Sequence, residues 1–373
     1  MIVIFTVESD TTTHEVMDWL DYYSQPFNVI TPQNIHNKIC LLINFIHSGH
    51  NAAFWFRKWS DENNSTAFKE ATASESFKLI SYIYLLTKQS CNWLNNPYDY
   101  NTNNKLLQEH FARLSGLKTP KSWVVNTRQE VEKLLTKDGL QFITKSFGSQ
   151  IFQKTNGIHY FSYTTCINRE ETKTYPEYFF PSLIQEYIEK EYEIRTFYLD
   201  GCFYSMAIFS QLNNRTKVDF RHYDTKNPNR YESIKIPETI EDGLKRFLDI
   251  IGTNCGSFDL IQSPEGEIYF LEFNPLGQFG MVSKPCNYKL EQKVALLLTG
   301  WAAKNANSQK QFMQCELLKT NMEGAHTACS DALCMLNMQP VELAGASAVY
   351  YSGFYESDFA SVQNLQKPID SLC

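Results

Sequence analysis

The sequence contains no apolar run approaching the roughly 20 residues that a membrane-spanning helix requires. Its opening, MIVIFTVESD, lacks a basic flank and is too short for a signal peptide, so it reads as a first buried strand. Cations are not in excess. The formal net charge of −7 argues against general nucleic-acid binding and leaves only local basic clusters to hold phosphates. Neither G-x-x-x-x-G-K-[ST] nor G-x-G-x-x-G occurs, which excludes the two commonest glycine-rich phosphate loops. The ten cysteines show no C-x-x-C spacing, which argues against a zinc ribbon or a disulfide framework. Reduced, buried thiols in a cytoplasmic protein are the simpler expectation.

What is present suits a globular protein with more than one core. The chain has 373 residues, 43% of them hydrophobic and 20% charged. Residues 1–100 alternate short apolar runs with polar helices, as an α/β domain does. Residues 2–7 and 27–30 read as strands, and residues 14–23 carry Val16, Trp19 and Leu20 at helical spacing. Residues 68–94 follow one helical pattern. In WFRKW, Trp55 and Arg57 share a strand face; exposed cations on an ordinary strand are expected there rather than a substrate contact. The asparagines at 101–104 offer an N-cap to a helix over 105–114 that Gly116 ends.

The densest chemistry lies in residues 256–280, GSFDLIQSPEGEIYFLEFNPLGQFG. Ser263-Pro264-Glu265-Gly266 is turn chemistry between two strands. Paired antiparallel across so short a turn, Asp259 falls near Glu272 and Asn274, and the last two leave one face of their strand. Two carboxylates and an amide oxygen form a hard-oxygen site suited to Mg²⁺. A solvated hairpin that happens to carry acids fits less well, because Glu272 sits inside an apolar strand, where an unpaired carboxylate is costly. Arg195 likewise enters an aromatic and apolar strand and needs an anion partner. In Val218-Asp219-Phe220-Arg221, alternation puts Asp219 and Arg221 on one face, where they suit either a phosphate or a plain surface pair. Residues 146–157 are rich in small polar residues and glycine and read as a flexible run after the strand 142–145. An amphipathic helix over 238–251, ended by Gly252, is expected to pack behind the hairpin.

The string D-L-I-x-x-P-x-G-E-I-Y-F-L-E-F-N-P-x-G-Q-F, from Asp259 to Phe279, resembles the carboxy-terminal metal motif of ATP-grasp ligases. Its GQF ending is similar to the branch acting on ribosomally made peptides, the graspetide (microviridin-type) synthetases. Within that branch it looks most like the peptide maturases of grasp-with-spasm systems. The resemblance covers roughly residues 1–305. It implies an α/β (α+β) ATP-grasp fold: a pre-ATP-grasp α/β domain at 1–100, a central domain at 101–184 whose residues 146–157 form a mobile lid, and an antiparallel-sheet domain with the Mg²⁺ site at 185–305. It also implies site residues. Lys105 and Lys145 would face the nucleotide phosphates. Gln185, Glu186 and Ile188 would form the hinge at the adenine, Glu193 would lie near the ribose, and Arg195 would reach the phosphates. Arg221 would lie beside the transferring phosphate, leaving Lys145, Arg195 and Arg221 as the catalytic cations. Asp259, Glu272 and Asn274 would hold Mg²⁺.

The activity this implies is ATP-dependent macrocyclisation, an ester or amide joining side chains of a ribosomal precursor peptide through an acyl phosphate. No protein nucleophile is needed, consistent with the lack of a Ser/His/Asp signature. A leader on the peptide would dock outside the active site, and a SPASM-domain radical enzyme would share the pathway. A homodimer is a further expectation, since dimers are common among such relatives. Two alternatives stay open: a carboxylate-amine ligase for small molecules or free amino acids, and a non-catalytic nucleotide- or peptide-binding module. Residues 306–373 depart from the resemblance; from Met322 on they contain no arginine and only Lys367 as lysine. An added packing element or a poorly ordered extension is the plain expectation for them, and a fused substrate-like segment carrying Ser357 and Asp358 the sharper one.

Overall fold

The computed structural model describes residues 1–59, 69–137, 139–148, 152–155, 158–161, 163–211, 216–220, 226–304, 338–343 and 346–351. They belong to two compact units, Met1–Leu318 and Lys319–Cys373.

The first unit starts with a parallel sheet. Strands β1 (Ile2–Phe5), β2 (Phe27–Ile30), β3 (Ala53–Phe56) and β4 (Asn92–Leu94) lie in the order β2-β1-β3-β4. Every residue of β1 and β3 is buried, as a parallel strand covered on both faces requires. Helices α1 (Thr11–Tyr22), α2 (Ile35–His47) and α3 (Lys69–Thr87) connect the strands. Ile2, Ile4 and Trp55 face one core with Val16 and Leu20 of α1; Val3, Phe5, Phe54 and Phe56 face another with Ile39, Leu42 and Ile80. The single helix expected over 68–94 stops at Thr87. The Thr87 hydroxyl donates to Ile83 O at 2.7 Å and accepts from Trp93 Nε1 at 3.0 Å. Trp93 stacks on Phe54 with ring centroids 4.3 Å apart, and that burial turns the end of the pattern into β4.

A second, antiparallel sheet follows helix α4 (Lys105–Leu114). Asn104 caps that helix, its side chain accepting from Leu107 N at 3.1 Å. The sheet contains β5 (Ser122–Thr127), β6 (Phe142–Lys145), β9 (Thr165–Ile167) and β10 (Tyr178–Glu186), in the order β5-β10-β6-β9. Helix α5 (Arg128–Leu135) leaves β5 through a capping box of Thr127 and Glu130 and packs Val131 and Leu134 against Phe142 and Ile184. Strands β7 (Phe152–Thr155) and β8 (Ile158–Phe161) pair antiparallel, so residues 152–155 of the expected loop are a strand. The short helix α6 (Arg169–Thr172) leads into β10.

The third sheet is antiparallel, in the order β13-β12-β11-β14-β15. It comprises β11 (Tyr192–Leu199), β12 (Cys202–Phe209), β13 (Arg230–Ile234), β14 (Cys255–Gln262) and β15 (Ile268–Asn274). Helix α7 (Glu238–Ile251), ended by left-handed Gly252 at φ 71°, covers one face. Its Leu244, Phe247 and Leu248 pack on Phe258, Leu260, Phe270 and Phe273, as the amphipathic pattern predicted. Helices α8 (Gly280–Ser283) and α9 (Leu290–Lys304) follow, and Val294, Leu298 and Trp301 of α9 join this sheet's Phe197 and Met206 to the first sheet's Ile4 and Trp55. Asn95, in the left-handed region at φ 55°, fixes that junction: its amide donates to Cys255 O at 2.8 Å and Pro275 O at 3.1 Å. In the second unit, β16 (Met338–Leu343) and β17 (Ala346–Tyr351) form an antiparallel hairpin; Ser357 and Asp358 lie outside the described residues.

The six cysteines among the described residues are free; Cys40, Cys166 and Cys202 are exposed and Cys286 is half-buried, so burial of the thiols holds only for Cys91 and Cys255. No described helix is long and apolar enough to cross a membrane.

Candidate active site

The second and third sheets meet across residues 187–191, and a cavity of about 480 Å³ lies between them. Its floor is the β14–β15 hairpin. Asp259 pairs with Glu272 and Ser257 with Asn274, so the three residues expected at the metal lie at one end of the hairpin and line the cavity together. A β-bulge sharpens the arrangement. The register shifts after Asp259, Leu260 pairs with Phe270, and Leu271 is the extra residue. Phe270 and Phe273, three apart, therefore both face α7, while Leu271 and Glu272 both face the cavity. Simple alternation does not reveal that shift.

Two cations meet the acids. Arg195, paired with Asp259 across β11 and β14, donates from Nη1 to Asp259 Oδ1 at 2.6 Å and Oδ2 at 2.5 Å. Lys105 Nζ lies 3.1 Å from Glu272 Oε2 and also bonds the Gly148 carbonyl. Burial pushes the Asp259 carboxyl up to about 6; Arg195 opposes that shift and the Glu272 charge reinforces it. Two facing carboxylates that resist joint ionisation fit a divalent cation, which relieves their repulsion. The oxygen-only donor set of Asp259, Glu272 and Asn274 is the kind Mg²⁺ accepts. Among the described residues no group of three or more His, Cys, Asp or Glu side chains converges. Asn274 Oδ1 accepts from Leu276 N at 3.1 Å.

The residues expected at the nucleotide come from both sheets and the segment between them. Lys145, Gln185, Glu186, Ile188 and Glu193 all line the cavity. Gln185 is buried; its Nε2 donates to Ser122 Oγ at 2.9 Å, and its Oε1 has no hydrogen-bond partner. The backbone N–H groups of Glu186 and Tyr187 donate to Lys121 O and Gln141 O, both at 2.8 Å, which fixes the segment between the sheets. Glu193 accepts from Lys190 Nζ at 2.7 Å and Ser210 Oγ at 2.8 Å. Burial raises its pKa, opposed by Lys190.

In the charged stretch at 187–191, Lys190 is buried beside Glu193 and bonds Val218 O at 3.1 Å. Its three-residue spacing from Glu193 was the available signal. Tyr163 and Thr164 also line the cavity and carried no such signal; Ser146, the first residue of the expected lid, lines it too. Asp219 and Phe220 line it too, but Arg221 lies outside the described residues, as do residues 149–151 and 156–157 of the expected lid.

One other sequence expectation changes. Arg57 is buried, its Nε 3.0 Å from Asp10 Oδ2, so it is neither an exposed cation nor among the residues lining the cavity. Trp55 belongs to the core shared by the first and third sheets.

No protein-family model and no curated protein matches the chain. Solved structures do. The macrocyclase MdnC of Microcystis aeruginosa MRC, bound with precursor peptide MdnA, superposes with TM-score 0.64 at 20% identity, over 80% of this chain and 99% of that one. A ribosomal-peptide-associated ATP-grasp ligase of Chryseobacterium gregarium, in complex with ADP and a leader and core peptide, gives TM-score 0.65 at 20% identity, over 82% and 97%. The ATP-grasp ligase PsnB, complexed with a minimal precursor, Mg and ADP, gives 0.62 at 15% identity, over 81% and 97%. The chain has the ATP-grasp fold. An ATP-grasp cavity between two antiparallel sheets is thus where the acids and cations described above converge.

Proposed function

We propose that the protein is an ATP-dependent peptide ligase that joins side chains of a ribosomal precursor peptide into macrocycles. The carrying observation is the facing pair Asp259–Glu272 with Lys105 and Arg195 on it, in a cavity that Lys145, Gln185, Glu186, Ile188 and Glu193 also line. Support for the substrate class comes from fold neighbours that are described with precursor peptides, ADP and Mg.

In this reading the adenine lies against Gln185, Glu186 and Ile188, and Glu193 meets the ribose with Lys190 holding its carboxylate. Lys105 and Lys145 face the phosphates. Asp259, Glu272 and Asn274 are the residues that would hold Mg²⁺, which when bound neutralises phosphate charge. A substrate carboxylate attacks the γ-phosphorus, the bond to the β,γ-bridging oxygen breaks, and ADP leaves with that electron pair. A hydroxyl or amine of the same peptide then attacks the acyl carbon and phosphate departs, giving an ester or amide. Lys145, Arg195 and Arg221 stabilise the charge that develops on phosphate, so catalysis consists of positioning and electrostatics. The domain limits 1–100, 101–184 and 185–305, with closure of 146–157 over the site, belong to the same proposal. So do a cytoplasmic location, a homodimer and a SPASM-domain radical enzyme in the pathway.

The test is phosphate release and product mass with MgATP and a candidate precursor, a short peptide rich in Thr/Ser and Asp/Glu. A loss of one water per linkage from the peptide is expected. Equal phosphate release with free amino acids would refute peptide selectivity.

A further inference from the structure

Arg57 directly follows β3 in the first sheet and is 3% exposed. Its Nε donates to Asp10 Oδ2 at 3.0 Å, and its Nη1 donates to the carbonyls of Leu276 at 2.5 Å and Gly277 at 3.3 Å. The guanidinium carbon lies 5.9 Å from the centre of the Phe279 ring. Asp10 is itself held, accepting from Thr13 Oγ1 at 3.0 Å. A planar fork bonded to a fixed carboxylate leaves little freedom to the carbonyls it grips.

Those carbonyls belong to the turn that begins at Asn274. Leu276 N donates to Asn274 Oδ1 at 3.1 Å, and Gly277 N donates to Asn274 O at 3.0 Å. The turn has no slack on its other side. A Cβ on Gly277 would lie 2.7 Å from both Cβ and Oγ of Ser257, a fully buried residue, and 3.0 Å from Asn274 O. One peptide segment is therefore gripped by Arg57, stacked on Ser257 and tied twice to Asn274.

We propose that Arg57 is a positioning residue for the cation site: it holds the 275–277 turn against the first sheet and so orients the Asn274 carboxamide. The inference rests on the assignment of Asn274 as a metal-facing residue made under the proposed function. A merely structural ion pair would move stability and leave metal affinity alone. A positioning residue moves metal affinity in a folded protein.

Mn²⁺ serves as the probe, its free fraction followed by electron paramagnetic resonance as the full chain is titrated with ADP saturating. A wild-type chain with no ADP-dependent Mn²⁺ site contradicts the proposed function itself, before any variant is compared. Given that site, Arg57→Met is expected to weaken Mn²⁺ binding about 10–100-fold, as loss of an outer-shell support does. Binding of metal-free ADP in EDTA stays at the wild-type value. Unchanged Mn²⁺ affinity in folded Arg57→Met overturns the proposal, and so does equal loss of both affinities. Should Arg57→Met fail to fold with Asp10 left unpaired, the neutral pair Asp10→Asn with Arg57→Gln carries the test. The glutamine amide ends about where Nε stands, two bonds short of the Nη1 that donates to both carbonyls, so the same loss of Mn²⁺ affinity is expected, and wild-type affinity refutes it.

Discussion

Glu272→Gln separates stability from chemistry at the centre of the site. The change keeps the shape and removes one charge. Over the 3.1 Å between Lys105 Nζ and Glu272 Oε2, the bare attraction at an effective dielectric near 20 is about 5 kcal/mol. Most of that is offset. The Glu272 side chain is 28% exposed and already hydrated in part, and its removal also relieves repulsion on Asp259 across the hairpin. The net change in unfolding free energy should be within about 1 kcal/mol, measurable by denaturant titration. Catalysis has no such offset, because a carboxylate lost from the cation site leaves transition-state charge uncompensated. At about 3–4 kcal/mol, turnover should fall roughly 10²- to 10³-fold in a phosphate-release assay with peptide substrate. Near-wild-type turnover in a folded Glu272→Gln protein would refute the metal assignment.

Arg195→Lys should lower turnover more than it lowers ADP binding, because the lysine nitrogen ends one bond short of Nη1, which contacts both Asp259 oxygens, and cannot present a planar fork to phosphate; parallel loss of both would contradict a role in charge stabilisation. Phe247→Ala should cost about 3–5 kcal/mol in denaturant titration, since the ring is fully buried against Phe258, Phe270 and Phe273 with centroids 5.7, 5.1 and 5.6 Å away; a cost under about 1 kcal/mol would contradict the packing described. Burial raises the Asp99 carboxyl from its ordinary 3.8 to about 6, opposed by donors from Asn96, Asn95 and Thr253. The folded state therefore binds that proton more tightly, and the stability it contributes, about 3 kcal/mol at most, is present below pH 4 and lost as pH rises through about 6. Unfolding measured from pH 4 to 7.5 should show that decline in wild type and a flatter profile in Asp99→Asn; identical slopes would exclude Asp99 as the titrating group.

Elements that bury one face in a regular pattern were legible in the sequence. Helices α4 and α7 and strands β2 and β6 follow their periodicity, and Asn104 and Gly252 mark helix ends by side-chain acceptor and left-handed backbone. The hairpin carrying Asp259, Glu272 and Asn274 was legible because Ser263–Gly266 chemistry fixes a turn, with Gly266 at φ 84°, and the turn fixes the register. What escaped depends on tertiary partners. The bulge at Leu271 breaks the two-residue period only because Phe270 and Phe273 both find room against α7. Lys190 and Arg57 resemble surface cations until Glu193 and Asp10 are brought beside them. The boundary between α3 and β4 is written in the stacking of Trp93 on Phe54, 39 residues apart, which no local window contains. Helix α5 carries local marks as well, the Thr127–Glu130 capping box and Val131, Leu134 and Leu135 at helical spacing.

The central claim is that a cavity built from these acids and cations activates a peptide carboxylate with ATP. Intact-mass measurement of the protein with MgATP, with and without the candidate precursor peptide, tests it most directly. Loss of one water per linkage from the peptide, dependent on ATP and absent in Glu272→Gln, is the predicted result. An unchanged peptide mass while ATP is bound and turned over would contradict it.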